Sequence, residues 1–163
     1  ACYLFPVVFS ISNAVAQSAQ PIISYNYGAH LTERISRTLR VSLFTAIVCG
    51  LSVMVCLWLG ATGIVRLFLD PQENAYGLAV EGLPLFAMCA VFFAVNIAFI
   101  GYYQSIEKAM VSTVYTLLRG IFFLVPCFIL LPCLIGVPGL WLAIPAAELL
   151  TCIVISVRYV RRE

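Results

Sequence analysis

The chain has 163 residues, of which 63% are hydrophobic and 10% charged, and its formal net charge is +2. Soluble domains carry about 25% charged residues, so a water-soluble globule is excluded. The near-neutral balance, with no basic cluster interleaved with aromatics, excludes nucleic acid as a partner.

Charge is absent altogether from residues 1–29, 41–65, 82–106 and 120–147. Each run is at least as long as the roughly 20 residues that a helix needs to cross about 30 Å of hydrocarbon. The expected fold class is therefore all-α, a polytopic membrane helical bundle with the lipid bilayer as its solvent. A signal peptide would show one short apolar region and a cleavage site, and the chain has neither pattern. It opens in apolar sequence without an initiator Met, which points to a piece of a longer protein in which 1–163 is one part.

Five helices are predicted, over about 2–27, 33–59, 76–104, 108–135 and 140–160. Gly and Pro mark their ends, at Gly28, Gly60, Gly63, Pro71, Gly136 and Gly139. The first helix carries a polar stripe. Ser10, Asn13, Gln17, Gln20 and Ser24 recur at alternating spacings of 3 and 4, so all five share one face. Against lipid their amides would lack partners. The stripe is either interhelical glue or the wall of a solute pathway. After the second helix, the short run 64–69 is too brief to span and suits an interfacial helix.

The third helix holds a lone amide, Asn96, with Cys89 and Tyr103 one heptad to either side. In the fourth, Ser112, Thr116 and Arg119 share a face, and Arg119 is the only base well inside a helix. Its side chain leans toward the helix start, so it is expected to snorkel to the inner headgroups as a structural charge. Glu148, in the fifth helix, is the only acid well inside one. It is expected to be protonated, paired or wet, and it is the candidate for ion coupling. Counted from the turn near Pro138, the two charges differ in depth by about 12 Å at 1.5 Å per residue, which makes a direct pair awkward.

The loops alternate in charge. Arg34, Arg37 and Arg40 follow the first helix, Glu107 and Lys108 follow the third, and Arg158, Arg161 and Arg162 close the chain. The loop before the third helix sets Arg66 against Asp70, Glu73 and Glu81. The positive-inside rule then gives five crossings with the amino terminus outside and the carboxy terminus cytoplasmic. Trp58 and Trp141 fall at the outer ends, and Tyr25, Tyr27, Tyr102, Tyr103 and Tyr159 at the inner ends, as interface girdles do.

Motifs of enzymes are lacking. His30 is the sole His, none of the seven cysteines (Cys2, Cys49, Cys56, Cys89, Cys127, Cys133 and Cys152) forms C-x-x-C, and no Walker or zinc spacing occurs. Neither a metal nor an organic cofactor is expected.

The run Gln20-Pro-Ile-Ile-Ser-Tyr-Asn-Tyr-Gly28-Ala29, with Arg residues opening the next helix, resembles the multidrug and toxic compound extrusion (MATE) transporters. Gly101-Tyr-Tyr-Gln-Ser105, Leu118-Arg119-Gly120 and Gly139-Leu-Trp141-Leu-Ala-Ile-Pro145-Ala-Ala-Glu148 extend the resemblance over essentially the whole chain. It implies a twelve-helix, two-lobed transporter, of which these would be the last five helices, with the amino-terminal lobe of the same protein as partner. It implies an antiporter of the plasma membrane that exports small amphipathic or cationic organic substrates in exchange for H+ or Na+. Asn13, Gln17, Gln20, Asn96 and Tyr103 would line the substrate pathway. Several branches of the family carry an acid in the middle of the tenth helix, whereas residues 90–98 here contain none. Two other functions stay open on sequence: a flippase for lipid-linked oligosaccharides, which would call for more cations at depth, and a non-transporting membrane scaffold.

Overall fold

The computed structural model describes residues 4–72 and 74–161. The expected start of the first helix at residue 2, Cys2, Glu73, Arg162 and Glu163 lie outside the described residues. Within them the chain forms α1 (Phe5–Gly28), α2 (Thr32–Leu59), α3 (Ala61–Arg66), α4 (Asn74–Ala87), α5 (Cys89–Ser105), α6 (Ala109–Leu117), a π-turn (Leu118–Phe122), α7 (Leu124–Ile135) and α8 (Val137–Val160). No strand occurs among the described residues.

Two of the expected rods are subdivided. The third becomes α4 and α5, with a break at Met88, one turn after Pro84, which lacks the N–H of a helical rung. The fourth is interrupted by the π-turn, where the Phe123 N–H bonds to Leu118 O at 2.8 Å. Four rods are long and apolar enough to cross a membrane: Thr32–Leu59, Ala75–Ser105, Ala109–Ile135 and Val137–Val160. The fifth expected crossing, α1, has 24 residues and is long enough. Its three amides at Asn13, Gln17 and Gln20 hold its hydropathy down. The expected interfacial segment is the short helix α3.

Turn chemistry reverses the chain compactly. Leu31 N–H bonds to Asn26 O and Lys108 N–H to Tyr103 O, each at 2.9 Å, in the manner of Schellman ends. The left-handed residues there are His30 (φ 57°) and Glu107 (φ 59°), rather than the expected Gly28. Between α7 and α8, Gly136 takes φ 69° and ψ −144°, a region essentially reserved for glycine.

The central rod is α5, which packs against α1, α2, α6 and α8. Its buried residues, including Phe93, Asn96, Phe99 and Tyr103, lie around its whole circumference. Between apolar helices in lipid, cohesion comes from close packing and hydrogen bonds rather than from expelled water. Small residues provide it here. At Gly50 an added Cβ would stand 2.8 Å from Val91 Cα, so α2 and α5 touch backbone to backbone beside Ala46, Ala94 and Ala98. The outer faces carry large apolar side chains such as Phe44, Trp58, Phe122 and Leu130, all exposed. Such a surface suits acyl chains and not water.

The ends of the bundle differ in charge, as the loop pattern predicts. Gln20 Nε2 donates to Gln104 Oε1 at 3.2 Å, Ser24 Oγ to Ser105 O at 3.3 Å, and Arg40 lines a groove with Tyr159. One end therefore gathers Arg34, Arg37, Arg40, Lys108, Arg158 and Arg161. Trp141, Phe68 and Leu83 line a groove at the other end, beside α3.

Candidate functional site

The interior of the bundle holds a polar centre built from three elements. On α8, Ala143, Ala147, Thr151 and Ile155 form the buried stripe, and Glu148 lies beside it with only 5% of its surface exposed. Arg119, in the π-turn, donates through Nη2 at 2.7 Å and Nε at 3.2 Å to Glu148 Oε1. Asn96, on α5, donates through Nδ2 to Glu148 Oε2 at 2.7 Å and to the Glu148 backbone carbonyl at 2.9 Å. Both partners accept, which fixes the amide nitrogen toward α8. The Arg119 guanidinium stacks over Phe93, with Cζ 4.1 Å from the ring centroid.

Charge-assisted bonds of this kind are the strong ones, and in a dry interior they must offset a desolvation penalty of several kcal/mol per ion. Guanidinium and carboxylate cancel, the second carboxylate oxygen is held by Asn96, and the face of the cation rests on an aromatic ring. The centre is neutral as a whole and rigidly held.

This arrangement departs from the expected snorkelling of Arg119. Its side chain is 12% exposed and turned inward to Glu148. The depth offset counted along the sequence presumed straight rods with an even rise. The π-turn changes rise and register at Arg119 itself, Pro132 lies inside α7, and the side chain is long enough to close the remainder. One signal in the sequence pointed to the pair. A lone acid and a lone base at depth in lipid each need a counter-charge, and each is the only one on offer.

The other expected site residues fall in three places. Asn96 is fully buried in the centre just described. Tyr103 is buried at the basic end, its ring 5.4 Å from that of Tyr115. The α1 stripe flanks the buried face made by Ser12, Ala16, Ala19 and Ile23. Gln20 and Ser24 reach α5, Ser10 bonds back to Pro6 O, Asn13 is half-buried and Gln17 is exposed. The stripe and the ion pair are thus separate features.

A cavity of about 430 Å³ opens against the ion pair. Its walls are Phe5, Phe86, Leu124, Ile144 and Gly120, and its polar end is Arg119 with Glu148. Among the described residues no three His, Cys, Asp or Glu side chains come together as metal ligands.

An all-α membrane bundle with a neutralised polar core and an amide-lined flank belongs to the class of polytopic membrane transporters. The MatE family model matches residues 1–129, and the chain belongs to that family, whose members are transporters rather than enzymes. The structure resembles that of the MATE multidrug transporter DinF-BH in complex with the dye rhodamine 6G, at TM-score 0.84 and 28% identity, over 94% of this chain and 34% of that one. It also resembles an outward-facing multidrug resistance MATE transporter of the MOP superfamily, at TM-score 0.82 and 18% identity, over 90% and 33% of the two chains. An inward-facing MATE transporter of the same superfamily gives TM-score 0.82 and 17% identity, over 98% and 39%. The chain thus spans little more than a third of the length of these transporters. No curated protein matches.

Proposed function

We propose that this chain forms part of the carboxy-terminal lobe of a secondary antiporter of the plasma membrane, with its carboxy terminus cytoplasmic. The antiporter exports amphipathic or cationic organic compounds in exchange for H+ or Na+. The observation that carries this reading is the likeness, over 94% of the chain, to a multidrug transporter bound to a rhodamine dye. Equal likeness to outward- and inward-facing transporters, at TM-score 0.82 each, supports a lobe that rocks as a unit against an amino-terminal partner lobe.

In this reading Asn13, Gln17 and Gln20 face the pathway between the lobes, and Tyr103 closes its inner end. Glu148 is the coupling acid, with Asn96 holding its carboxylate. A proton arriving at Glu148 neutralises the carboxylate and frees Arg119. A flippase for lipid-linked sugars is the weaker reading. The cation at depth that could hold a pyrophosphate, Arg119, is already engaged by Glu148.

The test is export of the same rhodamine dye by the full-length protein in proteoliposomes under an imposed pH or sodium gradient. Glu148→Gln is expected to abolish gradient-driven export while leaving dye binding in place. Gradient-driven export at the wild-type rate in this variant would remove Glu148 from coupling. Absence of dye export by the wild type would remove the antiporter reading itself.

A further inference from the structure

The rod made of α6, the π-turn and α7 contains an irregularity that its local sequence does not demand. Residues 118–122 read LRGIF, without proline; Pro126 and Pro132 come later. Even so, the Phe123 N–H skips the usual acceptor and bonds to Leu118 O, five residues back. Such turns are rare, place an extra residue in the helix, and cluster at functional sites. This one contains Arg119.

Both halves of the rod are anchored independently. On the α6 side, Tyr115 is 1% exposed and stacks on Tyr103 of α5. On the α7 side, Cys127 packs with Ala143 and Ala147 of α8, and Gly139 of α8 lies directly against the Leu131 backbone. With both ends fixed, one residue more or less between them turns Arg119 by about 100° around the axis. An ordinary α-turn would therefore aim the guanidinium away from Glu148.

We infer that the π-turn is a register device that brings Arg119 onto Glu148, and that Arg119 is a positioning residue for that acid. The device itself rests on geometry alone. Its consequence for transport rests on the coupling role proposed for Glu148.

The experiment is thermal unfolding of the full chain in detergent. Deleting Gly120 restores an α-helical count and takes Arg119 off the carboxylate. The deletion and Arg119→Gln are each expected to lower the melting temperature by about 10 °C. Combined, they should lower it no further than either alone. Adding Glu148→Gln to either, which removes the stranded carboxylate, should recover most of the loss. If the Gly120 deletion alone yields no folded protein, its combination with Glu148→Gln decides: recovery supports the device and continued misfolding overturns it. An unchanged melting temperature in the deletion, or losses that add in full, also overturns it.

In the full-length transporter, the pH midpoint of rhodamine export should shift alike in the Gly120 deletion and in Arg119→Gln, and stay in place in Arg119→Lys. Unmoved midpoints in all three, with the unfolding results intact, would confine the failure to the coupling role of Glu148.

Discussion

Arg119 and Glu148 stand 29 residues apart in the chain and 2.7 Å apart in space, with Asn96 closing the far side of the carboxylate. Each satisfies what the others would lack in hydrocarbon. The centre ties α5, the π-turn and α8 together near the middle of the bundle, so three rods that lipid alone would not sort are held in one register. Exposed ion pairs contribute little to stability. This one is buried, so removing a single member strands a charge, at about 3–5 kcal/mol.

Asn96 offers a pH test of the same centre. Asn96→Ala removes two donated hydrogen bonds, one of them to a carboxylate, and should lower stability by about 2–3 kcal/mol at any pH. Asn96→Asp sets a second carboxylate where a donor stood. The fold then accommodates the pair only when a proton is shared between them, so the native state binds more protons than the unfolded one. Stability must fall as pH rises. Unfolding of Asn96→Asp in detergent across about pH 4 to 8 should show the steepest decline of any variant at this centre. A flat profile would mean that the carboxamide does not face Glu148.

A second prediction concerns the opposite end of α8. The ring of Trp141 occupies the space where a Cβ on Gly82 would stand. Gly82→Ala must therefore push the indole aside, at about 1–3 kcal/mol for an overpacked contact. In a Trp58→Phe background the remaining tryptophan emission reports this directly. The expected result is a shifted emission maximum together with a lower melting temperature, and partial recovery of stability when Trp141→Ala is added. Emission unchanged by Gly82→Ala would contradict the contact.

Much of this architecture was legible in the sequence because lipid imposes simple rules. Charge-free runs, glycine and proline punctuation and alternating loop charge located the rods and separated the basic end from the other. The motifs around Gln20-Pro21 and Gly139–Glu148 led to the family. The pairing of Arg119 with Glu148 was hidden by a single irregular turn. Residue counting presumes an even rise, and nothing in Leu-Arg-Gly-Ile-Phe announces a π-turn in place of an α-turn. The break at Met88 was partly visible through Pro84. The left-handed caps at His30 and Glu107 were not, because neither residue type is a strong marker of that conformation.

The α1 stripe yields the test that separates a pathway wall from interhelical glue. Ser12 and Ala16 are buried on α1, while Gln17, one position past Ala16, is exposed and Asn13 half-buried. Beside a hydrated route between lobes, a thiol at Gln17 would meet water from the pathway. In fat, or sealed under another helix, it would not. Single cysteines at Ser12, Asn13, Ala16 and Gln17 can be placed in the full-length protein with the native cysteines replaced by Ala. A charged, membrane-impermeant thiol reagent should then label Gln17→Cys at least about tenfold faster than Ala16→Cys or Ser12→Cys, with Asn13→Cys between them. The rhodamine dye should slow the labelling of Gln17→Cys, because an amphipathic occupant displaces the water that carries the reagent. Equal, slow labelling at all four positions would make the stripe a packing seam and remove α1 from the substrate route.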